Sequence, residues 1–215
     1  MAFYSLWDQV PTVANGQVLD DGGATDAVTL GMQFSISRPL LYVGCWYYTP
    51  TFSEINNPGL ANVCGLFDLD TQDVVAGSQD NSPAWSGEVG SGWVLATLAG
   101  GYPLLEPSHP YTPGVWYEGS EESGTWYASN NEFWAETGPG ANGLTNGPIT
   151  APNNAGAING QAIYTQGSSF SCPITSYQAF NFWIDVYLMD PPSSSGSAGS
   201  RDEPPVLRWL GVRSL

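Results

Sequence analysis

Apolar and polar residues alternate along this chain in short stretches separated by Gly, Pro, Asn and Asp. The clearest stretch is 178–188, where Phe180, Phe182, Ile184, Val186 and Leu188 fall on one face of a strand and Asn181, Trp183, Asp185 and Tyr187 on the other. A period of two with aromatic and β-branched residues is the pattern of a half-buried strand. It is the last such segment before the composition changes, so it is expected to close the domain as a central strand. Val28, Leu30, Met32, Phe34 and Ile36 share a face in the same way, and Pro39 ends that stretch. Residues 40–48 form the next expected strand, stopped by Thr49 and Pro50, and 93–98 another. Residues 62–67 and 74–76 read as strands joined by an acidic turn at 68–73, and 115–117, 125–127 and 162–164 as short strand cores. No stretch longer than about ten residues keeps a 3.6-residue period. Residues 136–160, rich in Gly, Asn and Pro, read as a long irregular excursion of the kind that is functional or disordered in compact domains.

Composition agrees with this pattern. The 26 Gly and 17 Pro in 215 residues suit many short strands, and 42% hydrophobic residues supply a sizeable core. The expected fold is therefore all-β, an antiparallel β-sandwich of jelly-roll type. Residues 1–27 form an N-terminal arm or first strand, 28–190 the sandwich, 191–203 a Ser/Gly-rich linker, and 204–215 a C-terminal docking peptide. That peptide places Val206, Leu207, Trp209, Leu210 and Val212 beside Arg208 and Arg213; it is too apolar to hang free in water and too short to fold alone, and a flap folded back on its own domain is the alternative to docking on a partner.

Charge sharpens the division. Residues 1–190 carry 18 acids against Arg38 alone, a formal −17, whereas 191–215 carry Asp202 and Glu203 against three Arg, a formal +1. An acidic body disfavours nucleic acid as a partner. No segment is long and apolar enough to insert in a membrane, and the first residues lack the basic and apolar regions of a signal peptide. Three Cys (Cys45, Cys64, Cys172) read as buried thiols of a protein made in a reducing cytoplasm, although the sequence leaves pairing of Cys45 with Cys64 open.

Candidate chemistry is sparse. Asp68, Asp70 and Asp73 lack the Gly and bidentate Glu of an EF-hand and read as a plain acidic turn. The single His109 sits in a Pro-rich connection without a nucleophile elbow. One His and three dispersed Cys do not make a zinc site, and among 20 acids no carboxylate pair takes priority. No cofactor, metal or catalytic residue is therefore expected, and the protein is read as no enzyme. Aromatic residues, 13% of the chain with nine Trp, are the remaining candidates. Rings that stack on sugar faces could come from Trp46, Tyr48, Trp116, Trp126, Tyr127 or Trp134, each of which more often packs in a core. Trp85 and Trp134 lie in irregular, polar surroundings and are expected to be exposed. The candidate glycan contacts are Trp85, Trp126, Tyr127 and Trp134.

Several blocks recur together in a known arrangement: Leu30-Gly31-Met32-Gln33-Phe34, Val43-Gly44-Cys45-Trp46-Tyr47-Tyr48, Gly65-Leu66-Phe67-Asp68, Val74-Val75-Ala76, Ser91-Gly92-Trp93, Tyr111-Thr112-Pro113-Gly114 and Asn181-Phe182-Trp183-Ile184-Asp185-Val186. Their order over 28–188 resembles a β-sandwich domain of unknown function found in secreted bacterial multidomain proteins and in minor tail proteins of actinobacterial phages. The opening Tyr4-Ser5-Leu6-Trp7 resembles the start of the phage versions. Two departures stand out: the family carries a basic residue in the strand where this chain has Gly44-Cys45-Trp46-Tyr47, and the Pro-Pro-Val-Leu-Arg-Trp-Leu tail is not part of the family domain. The resemblance implies a non-enzymatic virion protein of a tailed phage, most simply a minor tail protein made in host cytoplasm. Its C-terminal peptide would anchor it to other virion proteins, its oligomeric state would follow particle symmetry, and host surface glycans are a candidate contact. A capsid decoration protein and a carbohydrate-binding module of a secreted system are the alternatives.

Overall fold

The structure is a computed structural model. It describes residues 1–7, 17–20, 27–49, 60–87, 92–118, 126–130, 132–176 and 178–192, with the backbone alone at 17–20, 126 and 128. The linker and docking peptide of the sequence reading lie outside the described residues, as does the Trp126 side chain.

Sixteen strands and no helix occur among the described residues. In chain order they are β1 (Phe3–Tyr4), β2 (Gln17–Asp20), β3 (Val28–Met32), β4 (Ser35–Ile36), β5 (Leu40–Tyr48), β6 (Val63–Asp68), β7 (Ser86–Gly87), β8 (Trp93–Thr97), β9 (Leu104–Leu105), β10 (Tyr111–Tyr117), β11 (Trp126–Ser129), β12 (Leu144–Asn146), β13 (Ile149–Ala151), β14 (Ala162–Gln166), β15 (Thr175–Ser176) and β16 (Ile184–Met189). Two main antiparallel sheets face each other. Sheet I runs β1-β16-β5-β8-β7, with β9 also on β5, and sheet II runs β15-β14-β3-β10-β6. Two small sheets, β11-β2 and β12-β13-β4, complete the all-β fold.

The core lies between the main sheets and follows the period of two. From β5 come Leu40, Tyr42, Cys45 and Tyr47; from β16, Ile184, Val186 and Leu188; from β3, Val28, Leu30 and Met32; from β10, Tyr111, Val115 and Tyr117. Cys45 of sheet I and Cys64 of sheet II meet inside this core. A hydrogen bond to Cys64, together with burial, pushes the Cys45 thiol well above its usual range. All three Cys are buried and free, as expected for inert thiols. Cys172 lies in a separate small cluster, where burial pushes its thiol up to about 11.

Three sequence expectations change. Residues 178–188 are not one strand: β16 begins at Ile184, because Gln178, Ala179 and Trp183 adopt φ of 46°, 52° and 50°. Left-handed residues break the alternation, and a bridge between Asn181 and Asn130 takes the place of a ladder there. β16 is nevertheless an interior strand, between β1 and β5. The excursion over 136–160 contains the β12–β13 hairpin, turned through Gly147 at φ 55° and paired onto β4. Residues 74–76 form only a bridge, Val74 to Phe67.

The arm belongs to sheet I. Phe3 pairs with Met189 and Tyr4 with Leu188. The Asp185 carboxylate, 2% exposed, then accepts the backbone N–H groups of Leu6 and Trp7 at 2.9 and 3.0 Å. At the corner where β16 ends, the Asp190 N–H donates to the Ala2 carbonyl, and the Asp190 carboxylate pairs with Arg38, whose guanidinium also donates to the Tyr4 hydroxyl.

Candidate docking face

The outer surfaces of the two sheets are built from opposite residues. On sheet II, register places Gly31 of β3 opposite Gly114 of β10, and Gly114 opposite Gly65 of β6. Three neighbouring strands thus lack side chains at one level, and a flat lane crosses the sheet. Residues 167–173 lie over it as a strap. A Cβ on Gly114 would come within 3.2 Å of the Phe170 ring, one on Gly65 within 3.1 Å, and one on Gly31 would press on Pro173 and the Thr112 hydroxyl. Phe67, Leu69, Ile163 and Cys172 close a second small core beneath the strap, with Phe170 packed against it. Polar groups fix its course: the Trp116 indole N–H donates to the Gly167 carbonyl, the Thr165 hydroxyl to the Cys172 carbonyl, and the Ser171 N–H to the Thr29 hydroxyl.

Sheet I has no such lane. One row across its outer surface, read from the register, is Phe3, Met189, Leu41 and Leu104 on four neighbouring strands. The next rows bring Tyr187, Trp46 with Leu95, and Tyr48 with Trp93. Phe3 and Leu104 are 53% and 54% exposed, Leu41, Trp46, Tyr48, Trp93, Leu95 and Tyr187 are half-buried, and Met189 is buried between Phe3 and Leu41. The rings hold one another in place. Phe3 stacks on Tyr187 with centroids 5.1 Å apart, Trp46 meets the edge of Tyr187 at 5.8 Å, and Tyr48 meets Trp93 edge-to-face at 5.8 Å. Removal from water pushes the Tyr187 hydroxyl above its usual pKa. Gly44, the one small residue in this part of β5, lies beside a bulge and approaches β8 so closely that a Cβ there would strike the Ala96 carbonyl oxygen.

Such a face offers broad apolar contact and little hydrogen bonding. Thr97 is exposed at its edge, and Asp185 lies beneath the arm with its carboxylate engaged. A sugar brings several hydroxyls that must keep hydrogen-bond partners when water is displaced. Leu41, Leu95, Leu104 and Met189 provide none, while Tyr48, Tyr187, Trp46 and Trp93 bring hydroxyl and indole N–H groups.

Of the four residues singled out from sequence as glycan contacts, the three whose side chains are described, Trp85, Tyr127 and Trp134, are not brought together on a solvent-facing surface. Trp134 is 1% exposed, which corrects the expectation that it lies outside. It packs with Phe133, whose ring lies 4.9 Å away, and with Trp7 at 6.2 Å; Trp183 joins the group through Trp7 and Phe133. The arm supplies Trp7, a tertiary partner that local polarity does not reveal. Trp85 is half-buried rather than exposed. Its ring stands edge-to-face on Tyr47 at 4.6 Å, and its indole N–H donates to the Ala61 carbonyl at 2.8 Å. Tyr127 is half-buried against Phe182 at 5.5 Å. Trp126 contributes its backbone to β11, and Val206, Leu207, Arg208, Trp209, Leu210, Val212 and Arg213 lie outside the described residues. Trp46 and Tyr48 do share the outer face of sheet I. Sequence reasoning missed the face as a unit because Phe3, Leu104 and Tyr187 join it only through pairing of distant strands.

One cluster could bring ligands to a cation. Asp68, Asp70 and His109 have ligand atoms all within 4.8 Å of one another. The His109 Nε2 lies 2.8 Å from Asp68 and its Nδ1 3.3 Å from Asp70, so each imidazole nitrogen faces a carboxylate. The other oxygen of Asp68 accepts the N–H groups of Asp70 and Thr71. Burial alone would raise the Asp68 carboxyl, but the His109 hydrogen bond and the two backbone N–H groups outweigh it and hold it below the usual range. These contacts tie the acidic turn to the Pro-rich connection and describe a structural clamp.

Comparison of the chain with protein-family models, with curated proteins and with solved structures finds no match.

Proposed function

We propose that this chain is a non-enzymatic structural protein that assembles through the outer face of sheet I. The observation that carries this reading is the contrast between the two outer surfaces. Sheet II is covered by the chain's own strap, whereas sheet I presents contiguous aromatic and aliphatic side chains, a surface of the kind that marks protein interaction sites. Taken with the family resemblance, the reading becomes a virion protein of a tailed actinobacterial phage, most simply a minor tail protein, with 204–215 as a second attachment element. A capsid decoration protein would use the same two elements. A carbohydrate-binding module is less favoured because the aliphatic side chains of Leu41, Leu95, Leu104 and Met189 would leave sugar hydroxyls without partners.

Particle incorporation tests this. Full chains carrying Trp46→Glu and Leu95→Glu, and a chain ending at residue 190, would each be expressed during assembly and counted in purified particles. The expected result is folded protein that stays soluble and is lost from particles in both cases. Incorporation of the face variant at the normal level would overturn the proposed docking role, and normal incorporation of the truncated chain would overturn the anchoring role of the peptide.

A further inference from the structure

We infer that residues 204–215 dock on the outer face of sheet I of the same chain, so that the free protein shields its own assembly surface. This rests on the docking-face reading above and is independent of the kind of particle.

The exit point comes first. β16 ends at Met189, which lies in the outer row with Phe3, Leu41 and Leu104. Asp190 is fixed there by its N–H to Ala2 and by the Arg38 ion pair. The chain therefore leaves the sandwich at the rim of the apolar face. Reach comes second. Residues 193–203 are mostly Ser and Gly with one Ala, followed by Arg201, Asp202 and Glu203. Eleven such residues have a root-mean-square span of about 18 Å and extend to roughly 36 Å, comparable to the roughly 30 Å length of a nine-residue strand such as β5. Attachment through a short linker gives an effective concentration on the order of millimolar, which favours a site on the same chain over one on another.

Chemistry comes third. The peptide offers Val206, Leu207, Trp209, Leu210 and Val212 to an apolar surface and carries two Arg with no acidic side chain. The body that bears the face has a formal −17, and its only basic residue, Arg38, is already engaged with Asp190 and Tyr4. Apolar contact at the face and opposite charge on the body as a whole both favour the peptide, whereas two copies of the acidic body would repel each other. A partner that takes the face must displace the peptide and thereby frees it to attach elsewhere.

The test uses the purified full chain with Leu210→p-benzoylphenylalanine, irradiated over a series of dilutions and mapped by peptide mass spectrometry. The expected result is cross-links at monomer mass, independent of dilution, to peptides holding Trp46, Leu95 or Tyr187, and their loss when Trp46→Glu is added. Dimer-mass cross-links that fade on dilution would show the peptide on another copy and overturn the inference. Cross-links confined to other surfaces, or none, would overturn it too. A second variant leaves the sandwich untouched: Trp209→Ser with Leu210→Ser should raise binding of an apolar fluorescent dye about threefold or more by uncovering the face. Unchanged dye binding would mean that the face is not covered by this peptide. Because neither measurement involves particles, failure here leaves the incorporation result standing on its own.

Discussion

At one level of sheet II, three adjacent strands carry Gly31, Gly114 and Gly65, and Phe170 settles into the space they leave. On the outer side of sheet I, Trp46, Leu95, Tyr187 and Phe3 rise from adjacent strands and meet one another. Removing side chains from a sheet surface lets another backbone approach and a segment of the same chain cover it. Keeping large apolar side chains leaves a surface that water covers poorly. The difference separates a surface that the chain covers with its own strap from one that no described residue covers, and it can be broken from either side.

The largest effect is expected on the covered surface. Gly31→Val would drive its side chain into the Thr112 hydroxyl, the Pro173 ring and the Pro113 carbonyl. Overpacking of this kind should cost about 3 kcal/mol, and Phe170→Ala, which uncovers the second small core, about 2–3 kcal/mol. Denaturant midpoints would check both. A stability unchanged by either would mean that the strap is not integral to the fold. Next is the arm that borders the open face. Asp185→Asn would place an amide where a carboxylate now accepts backbone N–H groups from Leu6, Trp7 and Val186. A loss of about 2 kcal/mol is expected, with hydrogen exchange at Leu6 and Trp7 rising most.

Acid comes third. Asp68 is held below the usual carboxylate range through His109 and two backbone N–H groups, and Asp190 chiefly through Arg38. A lowered folded-state value stabilises the fold fully above the ordinary aspartate pKa of about 4, and that contribution disappears as pH falls through the lowered value. The gap in melting temperature between the natural chain and Asp68→Asn should therefore close as pH falls from about 5 into stronger acid. A gap that widened in acid would have the wrong sign. The smallest effect on stability belongs to the open surface. Leu104→Ser, at a side chain 54% exposed, should change stability by no more than about 0.5 kcal/mol while lowering partner binding. A loss of several kcal/mol would show that the face is structural after all.

Much of the fold was legible because strand periodicity is local. The inward residues of β3, the end of β5 before Pro50 and the acidic turn after β6 were all readable from alternation and turn chemistry. Residues 178–183 were not, because left-handed Gln178, Ala179 and Trp183 leave no signature in a run of aromatic residues. The docking face was half legible. Trp46 and Tyr48 alternate with core residues on one strand, but Phe3 meets Tyr187 across some 180 residues of sequence, and pairing at that distance is set by tertiary packing. Trp134 and Trp85 were misjudged for a related reason: polar sequence neighbours say little about a ring whose contacts come from Trp7 or Tyr47.

The position of β16 has a mechanical meaning. A tether pulling on residues beyond Asp190 transmits its load into a strand bonded to β1 on one side and, through six registered residue pairs, to β5 on the other. When the pull is directed along the strand, the rungs of both ladders resist together in shear instead of peeling one at a time. An edge strand in the same place would unzip under a much smaller pull.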